Sequence, residues 1–272
     1  MGGPCEIRAF SVSETAVVQA RAEIQRLERK YSRYLPASVT TQINASAGKG
    51  GIRIDNETGD LLRYAEQAWA ASSGLFDITS GILRRAWDFR EARIPAENEL
   101  TPLLSLIGWQ KLDFRDNRLE LPPGMEIDFG GIVKEYAADR AANVLRAYGA
   151  NHALVEMAGD ISVTGPLPDG LPWLIRIRHP RNLEDNSGTM ELRNGAVATS
   201  GDYERCIVLD GVRYSHILNP LTGWPVSGLA SVTVQHATCT AAGTLATIAM
   251  LKGVRGAEWL EKQGVNSICI PA

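Results

Sequence analysis

The sequence predicts an α+β protein in which mixed or antiparallel sheets are flanked by helices. Three observations support this class. Apolar residues recur at helical spacing between Ser13 and Tyr31. Short apolar runs separated by turn residues dominate the chain after residue 150. At Gly130 and Gly131 an apolar, strand-like run gives way to a helical pattern. Helices grouped apart from many of the strands are typical of the α+β class.

The individual elements follow from local spacing and turn chemistry. Helices are predicted after the N-cap residue Ser13 and at later stretches of helical spacing, namely at residues 14–31, 59–72, 82–87, 134–148, 240–251 and 256–263. Strands are predicted at residues 6–10, 126–129, 153–157, 173–177, 196–200, 206–209, 214–218, 231–235 and 267–270. The polar, glycine-rich stretch 36–51 predicts a loop. The length of 272 residues fits one large domain or two interlocked lobes. No repeat or linker cleanly divides the chain.

Composition and charge exclude several classes of function. The formal net charge is −3, without the clustered basic face that nucleic-acid binding requires. No apolar run reaches the roughly 20 residues that span a bilayer. No basic, then apolar, then small-residue leader opens the chain. We therefore expect no nucleic-acid partner, no membrane span and a cytoplasmic location, or a periplasmic one if a leader was removed.

The segment from Asp128 to Lys134 is the first candidate site. Gly130 and Gly131 let backbone N–H groups approach a phosphate closely, and the N-terminus of the following helix favours negative charge. Lys134 adds a positive charge there. A pair of glycines is also the ordinary sequence of a turn, so phosphate contact and a simple turn both stay open at this point.

Three further polar clusters lie where strands end or helices begin. Asp160 follows an apolar strand, where an aspartate also serves as a capping or turn residue. His216 lies in a predicted strand among hydroxyl groups and leads into a turn, which suits a general base, although a lone histidine also occurs as a structural residue. Hydroxyl groups from Thr240 to Thr247 line the start of a helix, where they also serve as caps.

Taken in order, these clusters belong to a series of motifs that runs from the first residue to the last strand. The motifs are Met1-Gly2, Tyr31-Ser32-Arg33-Tyr34 with Ser38 and Asn44, Ser73-Gly74-Leu75-Phe76-Asp77-Ile78-Thr79, Asp128-Phe129-Gly130-Gly131-Ile132-Val133-Lys134, Ala198-Thr199-Ser200-Gly201-Asp202-Tyr203 and Ser215-His216-Ile217-Leu218. The series resembles the ApbE family of FAD:protein FMN transferases. The resemblance implies an ApbE-like fold, related to the T-fold, in which residues 1–272 form a single domain with interlocked N- and C-terminal lobes.

The resemblance also implies an activity and a set of site residues. FAD is implied to lie between the N-terminal motifs and the diglycine strand, and its FMN half to move onto a threonine or serine hydroxyl of an acceptor flavoprotein, with release of AMP. The implied FAD-binding residues are Met1, Tyr34, Asn44, Leu75, Phe76, Asp77, Asp128, Lys134 and His216. Among them, Tyr34 offers an aromatic face to a ring system. His216 is implied to be the catalytic base beside the pyrophosphate.

In the family a magnesium ion bridges the pyrophosphate, which implies metal ligands at the carbonyl of Gly131 and at Thr247. The family's aspartate four residues before that threonine is Gly243 here. Because Mg²⁺ prefers oxygen ligands and usually a carboxylate, we expect a weakened metal site. Glu135 replaces a family glycine and either restores a carboxylate from the facing helix or is an exposed residue of a first helical turn. Asn219 replaces another family aspartate and keeps an acceptor without the charge.

These departures leave two alternatives to flavin transfer. If water replaces the acceptor hydroxyl, the protein is an FAD pyrophosphatase that forms FMN and AMP. If the change at Gly243 removes catalysis, the protein is a non-catalytic flavin-binding or assembly protein that has lost the metal site. The retained His216 and Thr247 argue against that second alternative.

Overall fold

The structure is a computed structural model that describes residues 3–182 and 184–272. In chain order, its elements are β1 (Cys5–Ala9), α1 (Glu14–Tyr31), α2 (Val39–Ala45), β2 (Ile52–Arg53), α3 (Asn56–Ser72), a 3₁₀ helix (Ile78–Arg85), α4 (Glu97–Leu104), a 3₁₀ helix (Trp109–Lys111), β3 (Asp113–Arg115), β4 (Arg118–Glu120), α5 (Val133–Ala147), β5 (Ala153–Met157), β6 (Asp160–Val163), β7 (Trp173–Arg178), β8 (Asn186–Leu192), β9 (Gly195–Gly201), β10 (Cys206–Leu209), β11 (Val212–Ser215), β12 (Leu229–His236), α6 (Cys239–Lys252), a 3₁₀ helix (Gly253–Arg255), α7 (Gly256–Gln263) and β13 (Asn266–Pro271). The predicted α+β class is confirmed. Within the described ranges, no helix is both long and apolar enough to cross a membrane.

The chain divides into two compact units. The first unit consists of the described residues up to Arg29, Ile132–Tyr203 and Ser227–Ala272. Its six-stranded sheet has the order β1-β5-β6-β9-β12-β13, and every neighbouring pair is antiparallel. Helix α5 packs on β5, and helix α6 packs on β9 and β12. A hydrophobic cluster links the sheet to the hairpin of β7 and β8, and it consists of Leu154, Ile161, Val163, Trp173, Ile177, Met190, Leu192 and Val197.

The second unit consists of Lys30–Gly131 and Glu204–Val226. It carries a three-stranded sheet with the order β2-β4-β3 and the hairpin of β10 and β11. Its core cluster consists of Ile82, Leu83, Ala86, Trp87, Leu100, Ile107 and Ile207. The indole N–H of Trp87 donates to the carbonyl of Gly223 over 2.8 Å. This bond ties the loop that follows β11 to the core of the same unit.

The strand predicted at residues 126–129 is absent, so that prediction was wrong. The backbone N–H of Ile127 donates to Oδ1 of Asn44 over 2.8 Å, and Nδ2 of Asn44 donates to the carbonyl of Ile127 over 3.0 Å. The N–H of Asp128 donates to the carbonyl of Ile78 over 2.8 Å. A side chain and a 3₁₀ helix therefore take the bonds that a neighbouring strand would make. The apolar run reflects burial alone, which spacing cannot distinguish from a buried strand.

The predicted loop at residues 36–51 contains helix α2, which is a second correction. Oγ of Ser38 accepts a hydrogen bond of 3.0 Å from the N–H of Thr41 and caps the helix. Only Thr40 and Ile43 of this short helix are buried. Two buried positions are too few to produce a helical pattern in the sequence.

The carboxylate of Asp139, on helix α5, caps the N-terminus of α6. Its Oδ1 accepts from the N–H of Cys239 over 2.8 Å, and its Oδ2 accepts from the N–H of Thr240 over 2.9 Å. These are N–H groups that a helix leaves without internal acceptors. We expect Asp139→Ala to lower the free energy of unfolding by about 1–3 kcal/mol, because buried donors lose their acceptor. Urea unfolding followed by circular dichroism measures the loss, and an unchanged midpoint would contradict this role.

Candidate active site

An ion pair between Arg33 and Asp128 lies in the second unit. Arg33 also donates to the hydroxyl of Tyr34 over 2.9 Å, and its guanidinium lies 5.0 Å from the centroid of the Tyr34 ring. Desolvation lowers the pKa of Arg33, but the charge of Asp128 and the hydrogen bond with Tyr34 outweigh it, so the pKa is raised overall. The Tyr34 side chain is 72% exposed. A carboxylate, a cation and an accessible aromatic ring are therefore held together.

Asp128 is held in place by its own loop and by a close backbone approach. Its Oδ1 accepts a hydrogen bond of 2.9 Å from the N–H of Gly130. A Cβ atom on Gly81 would lie 2.5 Å from the Cβ of Asp128, so this approach requires glycine. The side-chain amide of Asn44 binds the backbone of the preceding residue twice, because its Nδ2 donates and its Oδ1 accepts. Asn44 is thus placed to position Asp128.

Asp77 is buried and caps the 3₁₀ helix that follows it. Its Oδ1 accepts from the N–H of Thr79 over 2.8 Å, and its Oδ2 accepts from the N–H of Trp109 over 2.9 Å. A cavity of about 280 Å³ opens beside it, lined by Trp69, Ser73, Gly74, Asp77, Leu104, Ile107, Gly108, Gln110, Pro220 and Leu221. Asp77 itself lines this cavity, and its hydrogen bonds to the backbone hold its carboxylate in position.

Leu75 and Phe76 lie between α3 and that 3₁₀ helix. The N–H of Phe76 donates to Oγ of Ser72 over 2.8 Å. Phe76 is buried and Leu75 is half-buried. Cζ of the Phe76 ring lies 3.5 Å from the point where a Cβ atom on Gly131 would stand. The diglycine segment thus packs against the Phe76 ring.

His216 lies just beyond the end of β11, at the start of the loop, rather than within the strand that the sequence predicted. Its side chain is exposed, and Nδ1 lies 3.1 Å from the carbonyl oxygen of Arg205. A carbonyl oxygen only accepts, so Nδ1 carries the proton of the neutral ring and Nε2 carries the lone pair. This tautomer suits a general base that acts through Nε2.

In the first unit, Lys134 is paired with two carboxylates. Its Nζ contacts Oδ2 of Asp160 and lies 3.2 Å from Oε1 of Glu135. Asp160 is 2% exposed, and its Oδ1 accepts from the N–H of Thr199 over 2.9 Å. Asp160 is therefore more than a turn residue, because it holds the lysine at the start of α5.

Glu135 faces helix α6. Glu135 is only 7% exposed, so the interpretation of Glu135 as an exposed residue of a first helical turn was wrong. A Cβ atom on Gly243 would lie 2.6 Å from Cγ of Glu135. On the same helix, the hydroxyl of Thr247 lies 2.8 Å from that of Ser200. The Glu135 side chain thus occupies space that any larger residue at position 243 would fill.

These groups offer oxygen donors suited to a hard cation. In the part of the chain that the structure describes, no group of three or more His, Cys, Asp or Glu side chains is arranged to hold a metal ion. Oε2 of Glu135 is buried without a hydrogen-bond partner, and Thr247 contributes a hydroxyl group. Mg²⁺ is commonly bound by one or two carboxylates together with substrate phosphates. The donor set therefore fits a cation that takes its remaining ligands from a phosphorylated substrate.

Two arginine side chains, Arg33 and Arg181, form ion pairs that were not predicted from the sequence. Arg33 lies in the motif Tyr31-Ser32-Arg33-Tyr34, but its partner Asp128 is 95 positions away in the sequence. Arg181 binds both carboxylate oxygens of Asp202 over 2.7 and 2.8 Å. Residue spacing carries no signal for such distant pairs. Met1, an implied FAD-binding residue, lies outside the described residues.

Known proteins are similar to this chain in sequence and in fold. The model of the ApbE family matches residues 1–269. The FAD:protein FMN transferase of Vibrio cholerae is 31% identical over 249 residues, which cover 89% of this chain and 74% of the relative. The ApbE protein of Thermotoga maritima superposes with a TM-score of 0.88 at 32% identity, covering 97% of this chain and 89% of that one. The apo flavinyl transferase ApbE of Pseudomonas stutzeri gives a TM-score of 0.88 at 30% identity, covering 100% and 89%.

The fold and its polar clusters define an α+β protein with groups suited to proton transfer and to binding an anionic substrate. The chain belongs to the ApbE family.

Proposed function

We propose that this protein is an FAD:protein FMN transferase, which moves FMN from FAD to a threonine or serine hydroxyl of an acceptor protein and releases AMP. The family match over residues 1–269 supports this activity, as do relatives that bear that name. The observation that carries the proposal is the bond between Nδ1 of His216 and the carbonyl of Arg205, because it leaves the lone pair on Nε2.

FAD is bound by residues of the motifs that identify the family. Tyr34 stacks its exposed ring against a ring system of the dinucleotide. Leu75 and Phe76 supply apolar contacts, and Asp128 supplies a hydrogen-bond acceptor. Asn44 and Asp77 bind backbone groups, so they act by holding these contact residues in position. Met1 is proposed as a contact only from its place in the opening motif.

The transfer is a displacement at phosphorus. The acceptor hydroxyl oxygen bonds to the phosphorus of the FMN half, and the bond between that phosphorus and the bridging oxygen of the pyrophosphate breaks. Nε2 of His216 takes the hydroxyl proton and later releases it to solvent. AMP leaves with the bridging oxygen. A positioned general base contributes typically about 10²–10⁴-fold to the rate of such a step.

Positive charge stabilises the pyrophosphate as negative charge shifts toward AMP. Lys134 supplies one such charge, and Asp160 fixes the position of its ammonium group. The carbonyl of Gly131 and the hydroxyl of Thr247 are proposed ligands of Mg²⁺, which when bound neutralises phosphate charge and polarises a phosphoryl oxygen.

We expect the protein to bind FAD more tightly than FMN, because the proposed contacts extend along both halves of the dinucleotide. Isothermal titration calorimetry with each ligand at the same magnesium concentration measures the difference. Tyr34→Ala is expected to weaken FAD binding by removing the stacking ring. Equal affinity for FAD and FMN would contradict binding of the adenylate half.

The activity is tested by incubating the protein with FAD, Mg²⁺ and a recombinant acceptor domain that has one flavin-accepting threonine. Intact-protein mass spectrometry is expected to show one FMN added through a phosphoester. The matched control is the same acceptor with that threonine changed to valine, which should remain unmodified. Free FMN with an unmodified acceptor would identify an FAD pyrophosphatase. Bound but intact FAD would identify a non-catalytic flavin-binding protein.

A further inference from the structure

Glu135 is a buried carboxylate whose hydrogen-bonding capacity is not filled. It is 7% exposed, and its Oε1 lies 3.2 Å from Nζ of Lys134. Among the residues that the structure describes, none forms a hydrogen bond with its Oε2. A buried carboxylate with an unsatisfied oxygen is unfavourable unless a cation or a donor reaches it. Oε2 of Glu135 is therefore able to bind a cation or to accept a hydrogen bond.

Gly243 makes room for this carboxylate. Glycine inside a helix is less favourable than alanine by about 1 kcal/mol, so its presence within α6 calls for a packing reason. A Cβ atom at position 243 would lie 2.6 Å from Cγ and 3.1 Å from Oε1 of Glu135. The absence of a side chain on α6 thus lets the carboxylate of α5 lie directly against that helix.

Thr247 lies one helical turn beyond Gly243, on the same face of α6. Its hydroxyl adds a second oxygen donor on that face, supported by Oγ of Ser200 at 2.8 Å. One carboxylate and one hydroxyl are too few ligands for Mg²⁺, which takes six oxygens in near-octahedral geometry. Further oxygens, including those of phosphate groups and water, are needed to fill the coordination shell.

We propose that Glu135 is a direct ligand of a divalent cation and supplies from α5 the carboxylate that α6 lacks at Gly243. Thr247 is a further protein ligand, and the phosphate oxygens of FAD are the substrate ligands. The inference rests on the proposed function, because the phosphates come from FAD. Cation binding therefore depends on FAD, and the protein without FAD binds the cation weakly.

The test measures the affinity of the protein for Mn²⁺, a paramagnetic substitute for Mg²⁺. Electron paramagnetic resonance detects bound and free Mn²⁺ in samples with and without FAD. Glu135→Gln keeps the shape of the side chain and removes its charge. We expect this variant to weaken Mn²⁺ binding in the presence of FAD by at least about tenfold, because losing even a residue that supports a metal ligand typically costs about that much. The matched control is Glu258→Gln, an exposed first-turn glutamate of α7, which should bind Mn²⁺ normally.

A reciprocal exchange tests the position of the carboxylate. Gly243→Asp alone should destabilise the protein, because its Cβ atom would clash with Glu135. The double variant Glu135→Ala/Gly243→Asp removes that clash and returns a carboxylate from α6, so it should recover folding stability and Mn²⁺ binding. Equal Mn²⁺ binding by the wild type and Glu135→Gln would overturn the inference, as would absence of Mn²⁺ binding by the wild type with FAD.

Flavin fluorescence measured in the same samples separates this inference from the proposed function. If FAD binds and Glu135→Gln leaves Mn²⁺ binding unchanged, only the role of Glu135 fails. If the wild type does not bind FAD, the proposed function fails, and the FAD-dependent cation site fails with it.

Discussion

His216→Ala is expected to lower the rate of FMN transfer by about 10²–10⁴-fold while leaving FAD affinity nearly unchanged. The hydroxyl nucleophile would lose the group that takes its proton. The imidazole is exposed at the start of a loop and is not part of the core cluster of its unit, so its removal should not unfold the protein. Single-turnover kinetics with saturating acceptor, together with calorimetric titration of FAD, measure the two effects separately.

Two variants control for the structural role of His216. His216→Asn keeps an N–H donor that can reach the carbonyl of Arg205 but provides no basic nitrogen, so it should be as impaired as the alanine variant. His236→Ala removes a histidine of the other unit and should transfer FMN at the normal rate. A fully active His216→Asn variant would show that the residue acts only through its bond to Arg205. A loss of FAD affinity without a rate effect would make it a binding residue instead.

Lys134→Met is expected to lower the free energy of unfolding by about 3 kcal/mol, which is typical of removing one partner of a buried ion pair. Asp160 is 2% exposed, and the lysine is the cation that its Oδ2 contacts. Methionine keeps most of the length of the side chain but leaves this carboxylate without a counter-charge. Urea unfolding of the wild type and the variant measures the loss.

The double variant Lys134→Met/Asp160→Asn is the matched control for that prediction. It removes both charges together, so it should be more stable than Lys134→Met alone. Oδ1 of an asparagine can still accept from the N–H of Thr199. If the double variant were no more stable than the single variant, the pairing of Lys134 with Asp160 would not account for the loss.

The sequence predicted the elements that have long periodic patterns or clear caps. Helices α1, α3 and α5 lie close to their predicted positions, because each has an apolar face that repeats over several turns. Helix α6 also lies close to its predicted position, although it is buried on most of its sides. Strand β6 was not predicted, because its four residues begin with Asp160 and include Ser162. All four are buried, and their polar side chains are satisfied by distant partners such as Lys134 and Asp139. Such partners are visible only in three dimensions.

The same reason limited prediction of the site. Asp128, Lys134 and His216 could be proposed as site residues from the sequence, because turn and helix chemistry surrounds them. The tautomer of His216 depends on the carbonyl of Arg205, which sequence spacing cannot place beside the ring. The burial of Glu135 depends on the packing of α5 against α6, and a first-turn glutamate is ordinarily exposed.

Flavin transfer requires that an acceptor hydroxyl, rather than water, takes the FMN half of FAD. The most direct test is the ratio of AMP released to FMN bound covalently to the acceptor in one reaction with purified protein, FAD and Mg²⁺. AMP measured by chromatography and protein-bound FMN measured by mass spectrometry are predicted to rise together in equal amounts. AMP that accumulates with free FMN while the acceptor stays unmodified would contradict transfer, and a reaction that forms no AMP would contradict cleavage of FAD altogether.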